Sequence, residues 1–129
     1  MKLRLLLLFF FVSVLHAELP PSAYEAMQAK APEYFKIEIL RVDVAPGETP
    51  TEQNVQLVAL ITEVLRSASG AKPNEIINIV YSVIEHPRGW AGPGPVPIPR
   101  EKERTVAYLR KLEVGDFEPA AGRMTFTHF

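Results

Sequence analysis

The residues from Phe35 to Val44 alternate between apolar and polar side chains, and the alternation changes phase in the middle. The first apolar set is Phe35, Ile37 and Ile39, and the second is Leu40, Val42 and Val44. Side chains of a strand point to alternate faces, so a shift of one residue moves the apolar set to the opposite face. We therefore predict a strand with a bulge or a bend, the device that a small closed β-barrel needs at a corner.

Residues 49–70 can be interpreted as a helix or as a strand. Thr49, Pro50 and Glu52 have the character of a helix N-cap, a first-turn proline and a capping-box acid, and Gly70 could end the helix. Apolar residues also occupy both faces of an extended segment over 55–66, as in a buried barrel strand. The local pattern slightly favours the helix.

Three further segments are predicted to be strands. Residues 75–84 alternate Ile77, Ile79, Tyr81 and Val83 with polar side chains. Residues 105–112 form the next strand, 114–117 a turn, and 124–129 a short closing strand. Between them, residues 86–99 contain five prolines and three glycines, which exclude regular structure.

Residues 1–17 have the composition of a secretory signal peptide. Lys2 and Arg4 precede an apolar run of 11 residues from Leu5 to Leu15, and Ala17 follows. A helix that crosses a bilayer needs about 20 apolar residues. We expect cleavage after Ala17 and a secreted or periplasmic protein; an uncleaved anchor is the alternative. Residues 18–34 then form a lead-in segment, either a short helix from Ala23 to Lys30 or a disordered tail.

Composition limits what the exported chain can do. Residues 18–129 carry 12 basic and 15 acidic side chains, a net charge of −3 with histidine neutral. This balance disfavours binding to nucleic acid or to an anionic membrane surface. The chain has no cysteine, which excludes disulfides, thiol catalysis and thiolate metal sites. The fold must therefore be held by burial alone, which a domain of about 110 residues can achieve.

Several segments resemble a group of small secreted barrels. They are 63–81, Gly92-Pro-Gly-Pro, Ala107-Tyr-Leu109, and Phe117-Glu-Pro-Ala-Ala-Gly122 before Met124-Thr-Phe126. The group is similar to the OB-fold-like barrel of netrin modules and tissue inhibitors of metalloproteinases. The resemblance covers roughly residues 35–127 and implies that 55–66 is a strand. Metalloproteinase inhibition in that family requires an N-terminal cysteine, which this chain lacks, so that activity is not implied.

Catalytic and metal-binding patterns are weak in this sequence. After export only His86 and His128 remain as histidines, and neither has ligands at metal spacing, so we expect no metal and no cofactor. Ser67 and Ser69 lie in a turn composition rather than in a nucleophile elbow. Glu101 and Glu103 belong to a run of alternating charges that is typical of a solvated surface. We therefore expect a protein that is not an enzyme.

The candidate binding surface lies in the proline-rich loop. Trp90, the only tryptophan, stands near His86 and Arg88, with Arg100 at the far end of the loop. Aromatic and arginine side chains in loops are frequent binding hot spots. The favoured alternative is that Trp90 folds back as a lid and completes the core at one end of the barrel.

The sequence thus predicts an all-β protein: a signal peptide over 1–17, a lead-in over 18–34 and a five-stranded OB-like closed barrel over 35–129. We expect a monomeric binding or interaction module with an unidentified protein or envelope partner. The alternatives are a structural envelope component without a discrete ligand and, less favoured, a hydrolytic enzyme.

Export generates the first testable prediction. The mature protein is expected to begin at Glu18, because Ala17 is the small residue that ends the apolar run at a suitable distance. Intact-mass measurement of the exported protein should give the mass of residues 18–129. A mass that includes residues 1–17 would contradict both the cleavage and the soluble location.

Overall fold

The computed structural model describes residues 18–86 and 89–128. One helix and six strands are found in these ranges. Helix α1 spans Pro21–Lys30; the strands are β1 Glu33–Pro46, β2 Glu52–Ser67, β3 Ile76–Ile84, β4 Arg104–Lys111, β5 Phe117–Pro119 and β6 Phe126–Thr127. The signal peptide predicted over 1–17 lies outside the described residues.

Five of the strands close into a mixed β-barrel, which confirms the all-β fold class. The strands neighbour one another in the order β1, β2, β3, β5, β4, and β4 pairs back onto β1. Four of these five pairings are antiparallel; β3 and β5 are parallel and meet at Ile79 and Phe117. Strand β6 adds to the outer edge of β4.

The change of phase in β1 is a β-bulge at Leu40, as predicted. Ile39 lies opposite Ala59 and Arg41 opposite Val58, so Leu40 has no partner of its own. Before the bulge β1 pairs with β2 on one edge and with β4 on the other, from Glu33 to Glu38. After the bulge, among the described residues, β1 pairs with β2 alone. The bulge therefore marks the point where the strand leaves the closed part of the barrel.

Residues 55–66 are a strand, and the helix that the local pattern favoured does not form. Strand β2 pairs with β1 along its whole length and with β3 from Glu52 to Leu60. The strand that the resemblance implies for 55–66 is thus present, and its first part pairs with β3. Helix propensities differ by only tenths of a kcal/mol per residue, and pairing on two edges outweighs them.

The helix-start residues instead make the turn between β1 and β2. The Glu52 amide donates to the Thr49 carbonyl (3.1 Å), and the Gly47 amide donates to the Glu52 carbonyl (2.8 Å). A Cβ atom on Gly47 would lie 2.5 Å from Cγ of Glu52, so the glycine permits this close approach.

The core fills the interior of the barrel with one face of each strand. Its central side chains are completely buried, and Phe35 packs edge-on against Phe117 with ring centroids 5.9 Å apart. The cluster consists of Phe35, Ile37, Ile39, Val55, Leu57, Ala59, Ile61, Ile77, Ile79, Ala107, Leu109 and Phe117. Ile98 and Phe126 pack against its margin.

Two predicted boundaries require correction at the C-terminal end. Residue Phe117 was assigned to a turn, but it begins β5, the fifth barrel strand. The predicted closing strand over 124–129 is reduced to β6, which follows a 3₁₀ turn at Gly122–Met124 and lies beside the barrel. A strand of three residues is too short for an alternating pattern to reveal it.

The helix predicted in the lead-in segment is present and begins earlier than expected. Pro21 occupies the first helical position, as its fixed φ allows, and Ser22 does not act as a cap. Arg66 of β2 fixes the other end by donating to the carbonyls of Ala29 and Gln28, both at 2.8 Å. Its guanidinium also lies over the Tyr34 ring, which stacks on Tyr108 at 4.5 Å.

Glu33 at the start of β1 is a buried acid with a defined structural task. Only 1% of its surface is exposed, and its carboxylate accepts from the Ser67 hydroxyl (2.5 Å) and the Ser69 amide (2.8 Å). The Ser67 oxygen in turn accepts from the Ala71 amide at 2.9 Å. Glu33 therefore holds the connection between β2 and β3 in place.

Truncation of this side chain tests its role in stability. Glu33→Ala removes a buried carboxylate that accepts two part-buried hydrogen bonds, and is expected to cost about 2 kcal/mol of unfolding free energy. Glu63→Ala is the control, since Glu63 is exposed and pairs only with Lys36 at the surface. Denaturant unfolding should show a clear loss for the first variant and little change for the second. Equal denaturation midpoints for the two variants would contradict the stabilising role of Glu33.

Candidate functional site

A groove of about 410 Å³ lies on the barrel surface across β1, β2, β3 and β5. The outward-facing residues of these strands form two transverse rows. One row runs from Asp43 through Gln56 to Val80, and the next from Ala45 through Asn54 to Ser82. The groove is lined by Asp43, Ala45, Asn54, Val55, Gln56, Val80, Tyr81, Ser82, Leu112 and Glu118.

The geometry of the groove follows from the course of β1. Beyond the Leu40 bulge this strand extends with β2 past the end of β4, and the Asp43 and Ala45 positions form one wall. Leu112, at the end of β4, and Glu118 of β5 belong to the opposite wall. Sequence reasoning identified the bulge but missed this site, because the lining residues come from four separate strands.

Hydrogen bonds and ion pairs orient several polar side chains of the groove. The Ser82 hydroxyl donates to Oδ1 of Asn54 at 2.9 Å. Asp43 accepts from Nε of Arg41 at 2.8 Å, and Glu118 lies 3.4 Å from a guanidinium nitrogen of Arg110. Among the described residues that line the groove, the charged side chains are these two carboxylates. The surface of the groove therefore offers amide, hydroxyl and carboxylate groups beside a few apolar ones.

Tyr81 connects the groove to the proline-rich loop. Its hydroxyl donates to the Pro97 carbonyl at 2.7 Å, and its ring lies 6.1 Å from that of Phe126. Burial raises the pKa of Tyr81 above its ordinary value, so the hydroxyl remains a donor at neutral pH. Ile98 packs on the core and Pro99 is buried. The end of the loop, at Ile98 and Pro99, therefore packs against the barrel.

Trp90 does not pack as a lid over the core, and this preferred interpretation is wrong. Its side chain is 52% exposed and stacks on His86, with ring centroids 4.2 Å apart and planes 10° apart. The indole N–H donates to the Pro93 carbonyl at 3.1 Å. A Cβ atom on Gly92 would lie 2.3 Å from the indole ring, so the glycine permits this position of the ring. These contacts order the ring locally without removing it from solvent.

Of the two other residues of the predicted binding surface, Arg100 does not join this pair. Arg88 lies outside the described residues. Among the residues that the structure describes, no hydrogen bond, ion pair or ring contact connects Arg100 to His86 or Trp90. Arg100 instead begins the charged turn, where its amide donates to the Glu103 carboxylate at 3.1 Å.

A second polar cluster fixes the start of the described chain. The Glu18 carboxylate accepts from the Tyr24 hydroxyl and from the Gly94 amide (3.1 Å), and lies 3.3 Å from Nε of Arg123. The Tyr24 hydrogen bond is the largest influence that lowers the pKa of Glu18, and Arg123 adds to it. Glu18 thereby links helix α1, the proline-rich loop and the 3₁₀ turn.

The serines considered for catalysis take part in the hydrogen bonds around Glu33. The Ser67 hydroxyl and the Ser69 backbone amide both donate to the Glu33 carboxylate. Within residues 18–86 and 89–128, no three His, Asp or Glu side chains cluster as metal ligands. In the same ranges, no helix has the length and apolar character needed to cross a membrane.

Comparison with protein-family models, curated proteins and solved structures finds no match for this chain.

The exposure of Trp90 changes the expected effect of its removal. Trp90→Ala should alter the unfolding free energy by less than about 1 kcal/mol, as surface substitutions do. Phe117→Ala, in the buried contact with Phe35, should cost about 3 kcal/mol or more. Circular dichroism melts suit the comparison, because the only tryptophan is removed. If Trp90→Ala loses as much stability as Phe117→Ala, Trp90 would have to be interpreted as a lid over the core after all.

Proposed function

We propose that the protein is an exported binding module built on an OB-like barrel, with its ligand seated in the surface groove. The strand order supports the OB-like assignment, since β1 pairs with both β2 and β4 and the short β5 is parallel to β3. OB-folds bind extended ligands on the face of strands 2 and 3, with the loops beside it. The resemblance of the hairpin segments to secreted OB-like barrels supports the same proposal.

The groove is the observation that carries this proposal. It is concave, its volume of about 410 Å³ is in the range of ligand sites, and several polar groups converge in it. Its two rows of side chains cross three adjacent strands. Such a surface suits an extended segment that lies across the strands and exchanges hydrogen bonds with Asn54, Gln56 and Ser82.

The charge of the lining determines which ligands are favoured. Asp43 and Glu118 place carboxylates in the groove, their ion-pair partners Arg41 and Arg110 lie outside the lining, and none of the described lining side chains is basic. Phosphate-rich or acidic ligands would be repelled, whereas an uncharged polar ligand or a basic peptide would not. We therefore propose a neutral or basic extended ligand and no nucleic acid.

The Trp90–His86 stack is a further contact surface in this proposal. An exposed indole that is already fixed by stacking and by a hydrogen bond loses little side-chain entropy on binding. Aromatic side chains of this kind are enriched among interface hot spots. The catalytic alternative is not favoured, because the Ser67 hydroxyl is committed to Glu33 and to the Ala71 amide.

Binding can be tested with probes of different charge. Amide shifts of ¹⁵N-labelled residues 18–129 are followed during titration with a lysine-rich hexapeptide, a glutamate-rich hexapeptide and a neutral hexasaccharide. We expect the basic or the neutral probe to perturb the groove residues and the acidic one to leave them unchanged.

Two variants of β3 provide the matched comparison. Ser82→Arg places a bulky cation in the groove and should abolish the perturbation, whereas Asn78→Arg, exposed on the same strand outside the lining, should preserve it. Perturbations that persist in Ser82→Arg would place the site elsewhere. An absence of perturbation by all three probes would favour a structural envelope component without a discrete ligand.

A further inference from the structure

The second half of β1 has an unpaired edge. On the side away from β2, β1 pairs with β4 only up to Glu38, and the last contacts there involve Ile39. Its amide donates to the Glu103 carbonyl (2.9 Å), and its carbonyl accepts from the Lys102 amide (2.7 Å). From Arg41 to Pro46, no backbone partner occupies that edge among the described residues.

This edge combines exposed apolar and charged side chains. Leu40 and Val44 are 43% and 46% exposed, although both are large and apolar. Between them, Arg41 and Asp43 form an ion pair on the other face of the strand and are each more than half exposed. An unpaired strand edge is a template for another strand. Strand addition would pair the free backbone groups and cover the two exposed apolar residues.

We propose that this edge pairs antiparallel with the same edge of a second copy of the chain, centred on Val42. In that register Val42 lies opposite Val42 of the other copy. Arg41 lies opposite Asp43 and Asp43 opposite Arg41, while Leu40 lies opposite Val44 and Val44 opposite Leu40. Opposite-charge and apolar cross-strand pairs each stabilise an antiparallel pair.

The charges select this register over its neighbours. In a two-fold symmetric antiparallel pair, opposed residues must point to the same face of the joined sheet. This holds only when one residue lies opposite its own copy, so each alternative register is centred on a different residue. Centring on Arg41 or on Asp43 places like charges directly opposite one another. Centring on Val44 leaves both charges without a partner and brings Pro46, which lacks an amide donor, opposite Val42.

The resulting dimer is closed and would join two grooves. A two-fold contact uses the same edge of both copies, so this edge of β1 is no longer available to add a third copy. Because Asp43 and Ala45 line the groove, the grooves of the two copies would lie on either side of the junction. The paired segment is short, so we expect a weak dimer that forms only at high protein concentration.

Complementary charge reversal tests the register. Arg41→Asp places carboxylates opposite carboxylates and Asp43→Arg places cations opposite cations, so each variant alone should remain monomeric in sedimentation velocity. An equimolar mixture restores opposite charges at both positions and should dimerise at concentrations where wild type does. Both side chains are exposed, so the melting temperatures of the variants should match that of wild type and exclude unfolding as the cause.

A cysteine scan gives an independent measurement in this cysteine-free chain. Opposed residues of an antiparallel pair have Cα atoms about 4.5–5.5 Å apart, within the range that a disulfide allows. Val42→Cys should therefore form a cross-linked dimer under mild oxidation, and faster than Val114→Cys, which is 83% exposed in the loop between β4 and β5. The proposal would be overturned if wild type stays monomeric at millimolar concentration or if the mixture of charge variants stays monomeric. It would also be overturned if Val42→Cys and Val114→Cys cross-link at equal rates.

Discussion

The pairing of β1 with two partners is the constraint on which the rest of the structure depends. Its first half is the only segment that β2 and β4 share, and this shared pairing closes the sheet into a barrel. Its inward residues Phe35, Ile37 and Ile39 are completely buried. The Leu40 bulge then ends the closed part and directs the strand outward. One strand thereby supplies the centre of the core, a wall of the groove and an open edge.

Polar side chains fix the connections that burial alone leaves free. Glu33 holds the turn after β2, Arg66 holds the end of helix α1, and Glu18 joins that helix to the proline-rich loop. Next to Arg66, burial and the hydrogen bond to Tyr34 raise the pKa of Tyr108 to about 12, so the Tyr108 hydroxyl stays protonated at neutral pH. Because the chain has no cysteine, hydrogen bonds rather than disulfides hold these connections.

Much of the barrel was predictable because alternation along a single strand is local information. The change of phase in β1 located its bulge, and the apolar positions on both faces of 55–66 allowed a strand. The helix signals at Thr49 and Pro50 misled, since turns and helix starts use the same residue types. Phe117 in the three-residue β5 and the four-strand groove could not be found, because both arise from contacts between distant residues. Trp90 was misplaced because a lone tryptophan was expected to be buried, whereas its ring contacts are the neighbouring His86 side chain and the Pro93 carbonyl.

The two-sided pairing of β1 also determines when the barrel can form. The residues that β1 and β4 bring together are some 66 to 76 positions apart in the chain, whereas β1 and β2 are joined by a short turn. Loop-closure entropy must be overcome before so distant a contact contributes, and folds rich in such contacts are slow to form. The long hairpin of β1 and β2 can assemble early, but its apolar face stays uncovered until the last third of the chain arrives. Folding should therefore be limited by the docking of β4, and a chain truncated before Arg104 should expose the hairpin to aggregation.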